Sequence, residues 1–214
     1  DAAHPPNRRR SPLVKRLGRG SNLAESAVIN FESPFRMTTS VSSAQDWRPK
    51  GHSVVVMGVA GCGKSSLAAL VAQAHGWELV EGDEYHDEAS LAKMRNGQAL
   101  TDEDRKKWFA LLAQKLSAQA GHIVLACSAL KKAYRDVLRA AVPELRFVFL
   151  KIDVAQAHAR VTGRGQDHYF PPALVDSQFE ALQEPCDEAR VLTLDAMQSQ
   201  ADLMAKVNTW LDAG

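Results

Sequence analysis

Residues 54–66 read VVVMGVAGCGKSS, a run of β-formers that closes on a glycine-rich loop and then Gly-Lys-Ser. Residues 58–65 satisfy G-x-x-x-x-G-K-S/T in full, between a strand-forming run and a helix-forming run, which is the context such a loop needs to bind phosphate. Gly58, Gly61 and Gly63 leave room for unusual backbone angles and for close approach of amides to phosphate oxygens. Val59, Ala60 and Cys62 fill the free positions of the motif, Cys62 as a small filler rather than a nucleophile. The following helix, entered through Lys64, Ser65 and Ser66, adds the partial positive charge of its N-terminus. Lys64 is expected to bridge the β- and γ-phosphates of ATP, and Ser65 to ligate Mg2+. The loop alone leaves a kinase, a switch GTPase and a mechanical ATPase open. No N-K-x-D segment for guanine recognition is present, and the chain is short for motor machinery.

A strand feeding such a loop belongs to a parallel sheet with crossover helices, and the rest of the chain keeps that alternation. Strands are expected at 54–57, 78–80, 123–127, 146–151 and 190–194, all continuous apolar runs suited to a sheet covered on both faces. Helices are expected at 65–75, ended by Gly76, at 101–120, opened by a capping pattern of Thr101 and Asp104, and at 201–211. Trp108, Leu111, Leu112 and Leu116 form the apolar stripe of the second of these. The fold class is thus α/β, a P-loop fold with a five-stranded parallel sheet and helices on both faces.

With 214 residues and a formal net charge of +1, nothing in bulk composition calls for a nucleic-acid or membrane partner. Cys62, Cys127 and Cys186 have no metal-ligand spacing, which suits a reducing, cytoplasmic setting. Charge is uneven: residues 1–36 hold seven Lys or Arg against three acids, with Pro-Pro, an Arg triplet and no sustained periodicity. Residues 1–52 read as a basic disordered leader, an upstream extension or less simply a targeting peptide, and residues 53–214 as the P-loop domain.

The acceptor side must come from downstream. The second strand ends in ELVEGDEYHD, and carboxyl ends of strands face the ligand crevice in an α/β sheet, so Glu81 and Asp83 should lie beside the γ-phosphate. A kinase that phosphorylates an alcohol needs one carboxylate to orient or take the hydroxyl proton and can use another to hold the water shell of Mg2+. The alternative for Asp83 is a cap on the next segment. CSALKKAYRDVLR puts Lys131, Lys132 and Arg135 just after the third strand, which suggests an anionic acceptor, although each could equally be a solvated helix residue. RVTGRGQDHYFPPAL joins glycines, Arg164, His168 and paired prolines, the make-up of a mobile lid whose cation meets charge in the transition state.

Taken together, MGVAGCGKS, EGDEYH, KMRNGQALTDEDR, CSALKKAYRD and the DSQFEALQEP after the lid resemble the small P-loop gluconokinases over about residues 53–214. The chain carries Asp87 and Ser90 where the family often has Pro and Asn, and Ala99-Leu100 where it often has Pro-Leu. The resemblance implies a nucleoside-monophosphate-kinase-like fold with a mobile lid, ATP-dependent phosphorylation of D-gluconate on its 6-hydroxyl to 6-phosphogluconate, and a homodimer. It implies that Arg105, Lys131 and Arg135 hold the gluconate carboxylate or hydroxyls, with His86 and His168 near them. Rival expectations are another small-molecule kinase of this fold, such as a shikimate or nucleoside-monophosphate kinase, and a non-catalytic nucleotide-dependent regulator.

Overall fold

The computed structural model describes residues 53–118, 122–163, 171 and 173–213. The expected leader at 1–52 and the expected lid residues Arg164 and His168 lie outside the described residues. Strand β1 (Val54–Met57) leads through the loop into α1 (Lys64–His75), then β2 (Glu78–Glu81), a single 3-10 turn (Gly82–Tyr85), α2 (Glu88–Arg95) and α3 (Asp102–Ala118). There follow β3 (Ile123–Ala126), α4 (Lys132–Ala141), β4 (Arg146–Lys151), α5 (Val154–Thr162), α6 (Leu174–Ala181), β5 (Val191–Asp195) and α7 (Gln200–Asp212). The sheet runs β2-β3-β1-β4-β5 with every neighbouring pair parallel. β1 is central, so the loop that follows it opens where the chain leaves to the two sides of the sheet, the crevice at which such folds bind ligands.

Strand periodicity explains the two layers. Val54 and Val56 join a core with Leu67, Val71, Val207 and Leu211, under α1 and α7. Val55 and Met57 join the opposite core with Phe109, Leu112, Leu116 and Leu138, under α3 and α4. All four β1 side chains are wholly buried. β4 repeats the pattern, with Val148 and Leu150 in the first core and Phe147 and Phe149 in the second. Burying side chains of this size contributes about 1.5–3 kcal/mol each, which is why strands without a polar face hold the centre of the molecule.

The helix ends are built as their sequences suggest. Asp104 accepts from the Thr101 amide at 2.9 Å while the Thr101 hydroxyl accepts from the Asp104 amide at 3.2 Å, a reciprocal cap on α3. At the far end of α7, buried Arg146 donates to the carbonyls of Trp210 and Leu211 at 3.3 and 3.0 Å, satisfying acceptors a helix C-terminus leaves open. One detail departs from expectation: Leu111 is an exposed residue of α3, and Phe109 takes its place in the core. Phe109 stacks on Tyr134 of α4 with centroids 4.6 Å apart, so the buried stripe is rotated toward that neighbour.

Candidate active site

The phosphate loop is shaped by contacts that exclude side chains. At Gly58 (φ 141°) a Cβ would sit 2.7 Å from the Leu150 carbonyl oxygen; at Gly61 (φ 84°) it would sit 2.9 Å from that of Ala157. Strand β4 and helix α5 thus press on the loop from below, and only glycine fits both the angle and the space. Cys62 is buried beneath the loop, consistent with a filler. Lys64 donates from Nζ to the Val59 carbonyl at 3.1 Å, so its ammonium lies folded over the loop it belongs to. Ser65 donates from Oγ to Glu81 Oε2 at 3.0 Å. Burial, only partly offset by that hydrogen bond, raises the Glu81 pKa above the ordinary carboxylate value, and the Asp83 charge pushes the same way.

After β2 the chain turns sharply against β3. A Cβ on Gly82 would stand 2.8 Å from the Ala126 carbonyl oxygen, and the Gly82 carbonyl accepts from Trp108 Nε1 at 2.7 Å. This fixes the turn so that Asp83 and His86 line a cavity of about 310 Å3 together with Lys64, Ser65, Arg105 and Trp108. His86 stacks on Trp108, centroids 4.0 Å apart, and its Nδ1 is buried without a hydrogen-bond partner. Burial lowers the His86 pKa, opposed by Asp83 and reinforced by Arg105, so the ring is neutral near pH 7. Arg105 reaches back to the Leu100 carbonyl with one Nη and keeps the rest of its guanidinium for the cavity edge.

Two of the expected acceptor ligands are elsewhere. Arg135 is completely buried, donating from Nε and Nη2 to Glu188, from Nη1 to the carbonyls of Ala129 and Leu130, and from Nη2 to that of Gln183. A guanidinium has five N–H donors, and this set occupies each of its nitrogens, so Arg135 is a clamp on the turn after β3 rather than a ligand in the cavity. Lys131 bonds Asp102 at 2.6 and 2.8 Å, Tyr134 also donates to that carboxylate, and Lys131 does not line the cavity. Lys132 is exposed and pairs with Asp136 four residues on.

Gln178 of α6 lines the cavity and accepts from the Ala60 amide at 2.6 Å across 118 residues of sequence. It lies in the DSQFEALQEP segment, where a neutral amide offers no charge signal to mark it. A second cavity, about 480 Å3, flanks the other side of the loop and is lined by Cys62, Ser66, Arg160, Ala196 and Gln198. Arg160 donates to the carbonyls of Gly61 and Ala196 at 3.4 and 3.1 Å, tying the loop to the turn after β5. The two cavities share Gly63 and Ser66, so the phosphate loop is the wall between them.

Comparison with known proteins agrees with this geometry. A family model described as an AAA domain matches residues 54–189. The chain is 39% identical over 160 residues to the thermoresistant gluconokinase of Escherichia coli (strain K12), covering 72% of this chain and 90% of that one. A crystal structure of a gluconokinase from Sinorhizobium meliloti 1021 superposes with a TM-score of 0.71 at 37% identity, covering 78% of this chain and 94% of that one. The shikimate kinase of Aquifex aeolicus vf5, at 15% identity and a TM-score of 0.55 over 75% of this chain and 96% of that one, shares the fold alone. A P-loop kinase sheet with its loop, acid turn and basic cavity edge in place, matched over most of its length at this identity, has one reading: the chain belongs to the gluconokinase family.

Proposed function

We propose that this protein transfers the γ-phosphoryl group of ATP to the 6-hydroxyl of D-gluconate, releasing ADP and 6-phospho-D-gluconate. The observation that carries the reading is a single cavity shared by the phosphate-loop residues Lys64 and Ser65, the carboxylate Asp83 and the cation Arg105. Asp83 orients the acceptor hydroxyl and takes its proton as the oxygen bonds to phosphorus and the bond to ADP breaks. Lys64 leaves Val59 to meet the β- and γ-phosphates, while the unpaired amides at the start of α1 hold the phosphate chain. Arg105 binds the gluconate carboxylate, with the neutral His86 ring beside it in the same cavity wall. Lys131 and Arg135 have no part in the pocket on this reading; Arg164 and His168 act from the lid, Arg164 on the charge of the phosphoryl group.

Mg2+ suits the oxygen pair of Ser65 and Glu81, which already sit 3.0 Å apart beside the loop. Ser65 would ligate it and Glu81 would hold its waters; bound there, the ion neutralises phosphate charge. The second cavity takes the adenine, with Arg160 beside it. No described helix is long and apolar enough to cross a membrane; a cytoplasmic homodimer is the setting we propose. The test is ADP release measured with ATP and Mg2+ against D-gluconate, shikimate, AMP, adenylyl sulfate, glucose and no acceptor. Turnover confined to gluconate supports the reading; turnover with a different acceptor overturns the pocket assignment, and nucleotide binding without turnover favours the regulator.

A further inference from the structure

Helix α6 brings a neutral side chain onto a loop whose amides otherwise serve anions. Gln178 Oε1 accepts from the Ala60 amide at 2.6 Å, and because an amide N–H can only donate, the oxygen of the side chain is the atom that faces the loop. Nε2 is then the group left over, a pure donor with no protein acceptor among the described residues, on a residue that lines the cavity shared by Lys64 and Asp83. Ala60 is the third position of the loop, four residues ahead of Lys64, and the side chain anchored there lines the same cavity as Lys64, Ser65 and the carboxylate Asp83 proposed to take the acceptor proton.

The helix presents this side chain from a fixed frame. Its first residues, Leu174 and Val175, are buried. Past its last residue, the Gln183 amide donates to the Leu130 carbonyl at 2.9 Å, the Gln183 side chain accepts from the Lys132 amide at 2.7 Å, and its carbonyl accepts from Arg135 at 2.9 Å. The Arg135 clamp therefore holds α6 as well as the turn after β3. A donor pinned at one end by backbone and carried on an anchored helix is preorganised, the property that makes a hydrogen bond to developing charge effective.

We propose that Gln178 is a catalytic residue of this kinase, donating from Nε2 to an oxygen of the transferring γ-phosphoryl group while Oε1 keeps the loop in place. The proposal rests on the kinase reading above and adds a discrimination: Gln178 touches the triphosphate and not the diphosphate. Gln178→Glu retains an oxygen for Ala60 but replaces the donor with a second anionic oxygen; Gln178→Ala removes both. Fluorescence titration with ADP and with the non-hydrolysable triphosphate adenylyl imidodiphosphate, and turnover with gluconate, give the readout.

Loss of one hydrogen bond to a charged group corresponds to a weakening on the order of 10-fold to 100-fold. Gln178→Glu is expected to weaken the triphosphate at least about 10-fold, with ADP changed by less than about twofold, and to lower kcat more than Gln178→Ala does. Equal losses for ADP and triphosphate would overturn the proposal, reducing Gln178 to a strut of the loop, as would a Gln178→Glu enzyme with wild-type kcat. If Gln178→Glu does not fold, the same ratio read on Gln178→Ala decides. The titrations contain no acceptor, so a wild-type protein inactive on gluconate would overturn the acceptor assignment while leaving the nucleotide ratio to judge Gln178.

Discussion

Asp83 and Glu81 are two carboxylates two residues apart, and the structure gives them different surroundings. Asp83 is exposed at the cavity, whereas Glu81 is half-buried and bonded to Ser65. Because Asp83 makes no buried contact, Asp83→Asn should lower kcat by about 10²–10⁴-fold, the range for a lost general base, while thermal unfolding stays within about 0.5 kcal/mol of wild type. Wild-type turnover by that variant would remove Asp83 from the chemistry. Glu81 has its pKa raised mainly by burial, so on acidification it takes a proton before an ordinary carboxylate does and loses the charge that would support Mg2+. The acid limb of kcat/KM against pH is therefore expected to lie above the normal carboxylate range, and Glu81→Gln, lower in activity throughout, should flatten it. An unchanged acid limb in Glu81→Gln would assign that titration to another group. Cys127, by contrast, has its thiol pushed up to about 12 by complete burial and is inert packing.

The five expected strands and the three expected helices were legible in the sequence to within a residue or two because periodicity and caps act locally, whereas α2, α4, α5 and α6 were given no bounds. The expected bounds 54–57 and 146–151 coincide with β1 and β4, and the Thr101–Asp104 cap is formed as the spacing requires. The misses are decided by partners far along the chain. Leu111 fits the helical stripe as well as Phe109 does, and only the packing of Tyr134 selects which one is buried. Arg135, in the first turn of α4 after β3, reads in the sequence as an anion ligand; Glu188, 53 residues later and without any local signal, turns it into a buried clamp. Burial alone would raise the Glu188 pKa, but the Arg135 and Arg139 partners outweigh it and hold the carboxyl below its ordinary value. Removing one member of a buried pair is costly, so Arg135→Ala should destabilise the fold by about 3–5 kcal/mol in urea denaturation. A depressed carboxylate pKa means that the stabilisation is full above the unfolded pKa and is lost as pH falls through the folded one, so the wild type should lose stability on acidification faster than Arg135→Ala does. A variant of wild-type stability with a raised KM for gluconate would return Arg135 to the pocket.

At the scale of the molecule, the strand order decides which residues can meet. β1 lies between β3 and β4, with β2 outside β3, so the loop after β1, the acid turn after β2 and Ser128 after β3 all emerge at one end of the sheet. α3 brings Arg105 and Trp108 over that end from one layer and α6 brings Ser177 and Gln178 from the other. The motifs disclosed the first set because each is a short pattern with its own chemistry; α6 stayed silent because a neutral side chain becomes functional only through the topology that carries it to the loop. Among the described residues, those lining the two cavities fall between Ala60 and Leu203, and the matched family region begins at residue 54. The basic residues of 1–36 lie ahead of the region that the family model matches. A chain lacking residues 1–36 should keep kcat and the KM for gluconate within about twofold of the full chain, because the residues proposed to meet ATP and gluconate all lie beyond the start of the matched region. Any cationic influence of that segment on the negatively charged substrates would act at long range and fade with salt, so the comparison is made at low and at high ionic strength. A rise in KM on truncation that disappears in high salt would give the leader an electrostatic role in substrate capture, whereas a loss of kcat at both would make it part of the catalytic unit.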